Sequence, residues 1–129
     1  MRFLLVSFFF FISLKLTVAQ NAVYTICGKS GNCTMTWDEF TQCKKSLITT
    51  DKAMSVSAFV VTVKKLGKKD YEFMEYTSKT NNFPKEALEM IDKLKKDKKL
   101  GDTIEISNVE VVQSGKAARK VNGMIITLN

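Results

Sequence analysis

The sequence predicts a mainly β domain of the α+β class, an antiparallel β-sandwich-like structure with one or two short helices. The run of residues 56–63 is β-branched and apolar on both faces, which is typical of a buried strand. Further short apolar segments are separated by glycine and asparagine turns, and only two stretches show helical spacing. These patterns describe one strand-rich domain with a helix laid across it.

The first helix is predicted to begin at Thr36. Thr36 and Glu39 have the spacing of a capping box, in which the threonine side chain bonds the backbone of the glutamate. The helix is expected to run to about Lys45 and to turn Trp37 and Phe40 toward the core.

A β-hairpin and a second helix are predicted next. Residues 66–69 are expected to turn the chain between the strand Val56–Val63 and its partner Tyr71–Tyr76. Residues 81–84 then open a helix, because proline is favoured in a first turn, and Gly101 follows as its stop. The apolar residues at helical spacing in this segment are Ala87, Leu88, Ile91 and Leu94.

Three strands are predicted after this helix. Thr103–Val112 is followed by a turn at Gln113–Lys116, and the closing segments are Ala118–Val121 and Met124–Leu128. Asn122–Gly123 between these segments is a strong turn dipeptide. Because the last segment ends one residue before the C-terminus, we expect it to be an edge strand open to a partner.

The first nineteen residues have the layout of a cleavable signal peptide. A positive start at Arg2 precedes the apolar run Phe3–Phe11, and the small residues of Thr17–Ala19 offer a cleavage site before Gln20. Lys15 interrupts the apolar stretch, which falls short of the roughly 20 residues that span a bilayer. The sequence therefore predicts a signal peptide at 1–19 and a single domain at 20–129, secreted to the periplasm or the extracellular space without stable membrane insertion.

The mature chain is predicted to be basic but not to bind nucleic acid. Removing Arg2 and Lys15 from the 20 basic residues leaves 18 against 13 acidic ones, a net charge of about +5. Five of the seven residues from Lys93 to Lys99 are lysines, which suit the solvated C-terminal turn of a helix. Arg119 is the only arginine after cleavage, although arginine is the better residue for specific phosphate recognition.

The absence of histidine and the three cysteines limit the chemistry. Without histidine there is no Ser-His or Cys-His nucleophile and no histidine-ligated metal site, so we predict neither an enzyme nor a cofactor. Cys27 and Cys33 bracket a flexible stretch that allows a disulfide, and a Cys33–Cys43 pair is the alternative. Either pairing leaves one thiol, for which the sequence offers no activating base.

The mature chain resembles the C-terminal domain of the gliding-motility protein GldM, a periplasmic component of the type IX secretion machinery. The resemblance covers about 100 residues and includes the segments MTWDEF, VSAFVVTV and GDTIEISNVEVVQSGKAARKVNGMIITL. The positions that match the family pattern are Gly101, Asp102, Ile104, Ile106, Val109, Gly115 and Arg119, with one extra residue between the last two. Cys27 and Cys33 stand where the family tends to have small residues.

The resemblance implies a β-sandwich-like domain that binds other proteins of the cell envelope, and it supplies no catalytic residues. A small secreted inhibitor of the cystatin type is the alternative, although the chain lacks the Q-x-V-x-G loop of that class. Arg119 is the candidate partner-binding residue, because its planar guanidinium can engage a carboxylate of an envelope or secretion-system protein. Its alternative role is internal, either as a cap of its own turn or as a pair with Asp102 or Glu105.

The signal peptide generates the first prediction. The exported protein should begin at or near Gln20, because the small residues before it form the cleavage site. N-terminal sequencing of protein recovered from the periplasm or the medium measures this directly. Recovery of a membrane-bound form that retains Met1 would contradict it.

Overall fold

The computed structural model describes residues 23–66, 71–96 and 101–129, and the predicted mainly β fold with two helices is confirmed. The predicted signal peptide, most of the predicted turn at 66–69 and part of the lysine run lie outside these ranges. In chain order the elements are β1 (Tyr24–Thr25), β2 (Cys33–Met35), α1 (Trp37–Gln42), β3 (Ile48–Thr49), β4 (Met54–Leu66), β5 (Tyr71–Ser78), α2 (Lys85–Lys96), β6 (Asp102–Gln113), β7 (Arg119–Val121) and β8 (Met124–Leu128).

Six of the strands form one sheet in the order β2-β8-β6-β4-β5, with β7 paired to β6. All neighbours are antiparallel except β2 and β8, which run parallel. The two short strands β1 and β3 form a separate antiparallel pair. The predicted hairpin is present, since β5 pairs with β4 from Phe59↔Ser78 to Leu66↔Tyr71.

The hydrophobic core lies between one face of the large sheet and a second layer made of α1, α2 and the β1–β3 pair. Both layers contribute fully or nearly fully buried side chains. From the second layer these include Tyr24, Ile26, Trp37, Phe40, Phe83, Ala87, Ile91 and Leu94, and from the sheet Met35, Val56, Phe59, Val61, Val63, Ile104, Ile106, Val109, Val111, Met124, Ile126 and Leu128. Helices thus occupy most of the place that a second large sheet has in a sandwich.

Helix α1 begins as predicted and ends earlier. The Thr36 hydroxyl accepts the backbone N–H of Glu39 at 3.1 Å, and Trp37 and Phe40 are buried. The helix stops at Gln42 because Cys43 is already extended, with φ −85° and ψ 159°, so the expected end at Lys45 is wrong.

Helix α2 follows Pro84 as predicted and buries Ala87, Ile91 and Leu94. Leu88, which shares the apolar spacing, is 36% exposed and faces away from the sheet. No helix in the three described ranges is long and apolar enough to cross a bilayer.

The central strands β4 and β6 both change which of their residues face the core. On β6 the buried residues are Asp102, Ile104 and Ile106 and then Val109 and Val111, so the alternation shifts by one residue. Asn108 takes up the extra residue with a positive φ of 48°, a conformation that asparagine tolerates well. β4 makes a matching shift between its pairings at residues 56–58 and 58–60. Because one residue inverts every following side chain, these bulges keep both ends of each strand apolar toward the core.

β7 and β8 are two parts of one interrupted strand, which corrects the turn predicted at Asn122–Gly123. Val121 pairs with Val109 and Met124 pairs with Ile106, so the chain continues along β6 without reversing. The Tyr24 hydroxyl donates to the carbonyl oxygen of Asn122 at 2.9 Å, at the point where the strand is interrupted. The true reversal is the predicted turn after β6, where Lys116 N–H donates to the Gln113 carbonyl at 2.9 Å.

The expectation that Met124–Leu128 is an edge strand is wrong. β8 lies between β6 and β2, and the Met35–Leu128 pairing continues to its last residue. The strands of the large sheet that have only one neighbour in the described part of the chain are instead β2 and β7, which have three residues each, and β5, which has eight. The N-terminal strand β2 therefore pairs with the edge of β8 that we expected to be open.

The interrupted strand generates the second prediction. A Cβ on Gly123 would overlap the carbonyl oxygen of Ile106 and lie 3.3 Å from the Cα of Ser107. We expect Gly123→Ala to lower the free energy of unfolding by about 1–3 kcal/mol, the usual cost of overpacking. Urea unfolding of the mature domain measures it.

Gly115→Ala is the comparison, because that site has open space and carries only the strain of φ +76°. Its cost should be roughly 1 kcal/mol. An unchanged unfolding midpoint for Gly123→Ala would contradict the close approach of the two strands.

Candidate functional site

The disulfide joins Cys27 and Cys43, which corrects the predicted Cys27–Cys33 pair and the Cys33–Cys43 alternative. The Cα atoms of the bonded pair are 5.2 Å apart, within the usual range. Ile26 and Lys29 exchange two backbone hydrogen bonds of 3.0 and 2.9 Å, so the chain reverses immediately beside Cys27. Cys33 then enters β2 beside Ile126, and burial of α1 brings Cys43 to Cys27.

Cys33 keeps a free, half-buried thiol. Burial raises the pKa of this thiol, and the nearby charge of Lys29 only partly opposes the rise. The thiol is therefore protonated at neutral pH, when it is a poor nucleophile. This environment is typical of a structural cysteine.

The strand β5 is the longest of the three strands of the large sheet that have an open edge. In the described part of the chain its neighbour is β4 alone. Phe73 is 63% exposed and Met74 is 49% exposed, the first on the outer face of the sheet and the second on the core face. We call β5 with Phe73, Met74 and Tyr76 the edge-strand surface.

The apolar part of this surface continues from β5 onto α2. Tyr76 is half-buried on the same face as Met74, and its hydroxyl lies 3.6 Å from the Met74 sulfur. Helical spacing places the half-buried Met90 on the side of α2 opposite Leu88, and α2 contacts β5. A strand added beside β5 would meet this apolar border with its inward side chains.

The rest of the outer face of the sheet is mixed, with polar side chains around the half-buried Val60 and Val112. Lys64 on β4 and Glu105 on β6 form an ion pair of 2.6 Å there, and Thr62 lies beside them. Ile125 on β8 is 40% exposed on the same face, but it lies between strands rather than at the edge. Antiparallel sheets commonly leave such a face to solvent.

A groove of about 270 Å³ separates α1 from α2, and we call it the interhelical groove. Its floor is apolar and is made by Phe40, Leu88 and Ile91. Its rim carries two cations and one anion, which are Lys45, Lys95 and Asp92.

The Lys45 ammonium is held at the end of α1. It donates to the carbonyl oxygens of Thr41 at 2.8 Å and Cys43 at 3.1 Å, and it lies 5.1 Å from the centre of the Phe40 ring. Burial lowers the pKa of Lys45, the carboxylate of Asp92 raises it, and the charge of Lys95 lowers it again. The ammonium is therefore partly desolvated and faces a second cation.

Arg119 lies on β7 with its side chain exposed, and it belongs to neither surface. It is opposite Val111, whereas Asp102 is fully buried opposite Leu128 and Glu105 is ion-paired with Lys64. Six strand residues, roughly 20 Å, separate Arg119 from the position opposite Glu105. The predicted internal pair with Asp102 or Glu105 is thus wrong, and the partner-binding role stays a prediction.

Sequence reasoning found the strand that carries the edge-strand surface but not its exposure, and it missed the interhelical groove. The alternation of residues 71–76 predicts that β5 pairs with β4, but it does not show whether another strand lies on the other edge of β5. The helical spacing places Leu88 with the apolar residues of α2, whereas the structure leaves it 36% exposed on the floor of the groove. Among the described residues no three acidic or cysteine side chains gather as metal ligands.

No family model matches the chain, and no curated protein matches it in sequence. The likeness to the GldM C-terminal domain therefore stays a prediction. Any function has to be argued from the two surfaces and from Arg119.

The disulfide generates the third prediction. Cys27→Ser and Cys43→Ser should each lower the free energy of unfolding by about 3 kcal/mol, because the bond closes a loop of 16 residues in the unfolded chain. The double variant should cost little more than either single one, since both remove the same bond. Denaturant unfolding of the oxidised protein measures all three.

Cys33→Ser serves as the control and should leave the disulfide intact. Thiol labelling of the unfolded, unreduced mature protein should count one free cysteine, and peptide mapping should find Cys33 labelled. Labelling of Cys43 in place of Cys33 would contradict the pairing.

Proposed function

We propose that the chain is a non-enzymatic, extracytoplasmic protein-binding module of the cell envelope, and that β5 receives a strand from its partner. The observation that carries this proposal is an eight-residue outer strand with two exposed large apolar side chains, Phe73 and Met74. Partner proteins commonly bind by adding a strand to such an edge.

The edge of β5 lacks two common forms of protection. Soluble proteins usually shield outer strands with proline, with lysine or by keeping them very short. β5 has neither proline nor lysine over its eight residues, although it carries the two glutamates Glu72 and Glu75. The other open edges are better protected, because β2 and β7 have only three residues each and two of the β7 residues are cations. The difference favours β5 as the binding edge.

The side chains around β5 define the strand that fits. Its inward residues would pack on Met74, Tyr76 and Met90, so they are expected to be apolar. Its outward residues would lie beside Phe73 and the exposed Glu75, which favours an apolar residue next to a basic one. Main-chain hydrogen bonds would supply affinity, and these side chains would supply specificity.

One observation and one prediction support an envelope location. The Cys27–Cys43 disulfide is compatible with an oxidising compartment outside the cytosol. The predicted signal peptide leads to the same compartment. The resemblance to the GldM domain makes gliding and type IX secretion proteins the first partners to test.

The edge-strand surface generates the fourth prediction. A photo-crosslinking residue at the exposed Thr77 should capture a discrete envelope protein in living cells. Phe73→Lys and Met74→Lys should each reduce this capture at least fivefold, because a charge on the edge disfavours strand addition. The melting temperature should change little, since both side chains are exposed.

Ile125→Lys is the matched control, because it places the same charge at an exposed apolar position inside the sheet. It should leave capture unchanged. Loss of capture with Arg119→Ala but not with the β5 variants would move the interface to β7 and overturn the proposed edge.

A further inference from the structure

The interhelical groove has the composition of a site for an anion on an apolar chain. Phe40, Leu88 and Ile91 form the floor, and Leu88 is 36% exposed within it. Lys45 and Lys95 against Asp92 leave one positive charge in excess. This surface lies on the side of α2 away from β5, so it is separate from the edge-strand surface.

We propose that the interhelical groove binds a short acidic segment of a partner protein, with an apolar side chain on the floor and the adjacent carboxylate between Lys45 and Lys95. The inference rests on the proposed function only in taking a protein as the partner. It uses no residue of β5.

The position of Lys45 explains why a carboxylate is favoured. An ammonium group has three N–H donors, and the Thr41 and Cys43 carbonyls take two of them. The group is half-buried, and the charge of Lys95 opposes its own. A partner carboxylate would supply a counter-charge to both ammonium groups in a partly desolvated setting, where ion pairs are stronger than at an open surface.

The size and the charge of the groove restrict its occupant. A volume of about 270 Å³ lies below the roughly 300–1,000 Å³ of small-molecule pockets, so it suits one or two side chains rather than a whole ligand. Asp92 would repel a dianion such as a phosphate monoester more strongly than a carboxylate. An aspartate or glutamate beside a large apolar residue fits both conditions.

The test is an NMR titration of the mature, oxidised protein with capped four-residue peptides. A peptide with central phenylalanine and glutamate should shift the backbone amides of Thr41, Lys45 and Leu88, with a dissociation constant on the order of millimolar for so small a contact. Peptides in which glutamine replaces the glutamate, or glycine replaces the phenylalanine, should bind at least threefold more weakly.

Removing a cation from the groove should weaken peptide binding, and removing its anion should strengthen peptide binding. Lys95→Met should weaken binding of the phenylalanine–glutamate peptide about threefold to fivefold, the size of a partly exposed ion pair, and Asp92→Asn should strengthen it. Lys93→Met is the control, because Lys93 is exposed on the same helix outside the groove. Phe73→Lys should leave this binding unchanged, which separates failure of the groove from failure of the β5 edge.

Three results would overturn the proposal. Equal binding of the glutamine peptide, or weaker binding with Asp92→Asn, would show that no carboxylate is recognised. Amide shifts confined to residues outside the groove would place the contact elsewhere. Hexanoate that binds more tightly than the peptide would identify a free fatty acid, and not a protein segment, as the occupant.

Discussion

The pairing of β4 with β6 is the interaction on which the rest of the structure depends. These are the two longest strands, with 13 and 12 residues, and every other strand of the large sheet attaches to one of them directly or through β8. Their bulges are matched, so Val61 faces Ile106 near one end and Val56 faces Val111 near the other. Without that match, half of one strand would turn its apolar side chains to solvent, and the helices would have no continuous surface to cover.

The two candidate surfaces lie where a strand or a helix has no neighbour on one side in the described part of the chain. α2 lies over β4 and β5, yet the outer side of β5 stays open and leaves Phe73 and Met74 exposed. At the opposite edge of the sheet, β2 pairs with β8, and the C-terminal strand is therefore internal. The interhelical groove forms where α1 and α2 meet over a shared floor of Phe40, Leu88 and Ile91.

The short helix α1 connects stability to the groove. Six residues are too few for a helix to persist alone in water, so tertiary contacts have to hold it. Burial of Trp37 and Phe40 secures one face, the Thr36 hydroxyl caps its start, and the disulfide holds Cys43 at its end. The Lys45 ammonium group donates to the carbonyl oxygens of Thr41 and Cys43, and these bonds hold a cation on the groove rim. The disulfide thus stabilises the end of α1, where Lys45 supplies one of the two cations of the groove.

Local patterns in the sequence determined the cap of α1, the buried face of α2, the β4–β5 hairpin and the turn at Gln113–Lys116, since each depends on residues close together in the chain. Apart from that hairpin, tertiary structure alone decided which strand lies beside which. Asn122–Gly123 has the composition of a turn, but its neighbours pair along β6 and the glycine instead admits the Ile106 carbonyl. Cys27 is closer in sequence to Cys33 than to Cys43, yet folding of α1 onto the core brings the more distant thiol to it. The sequence could not predict the exposed edge at β5 or the groove beside Leu88 for the same reason. The pattern of a strand or helix shows which of its faces is apolar, but it does not show which element packs against that face.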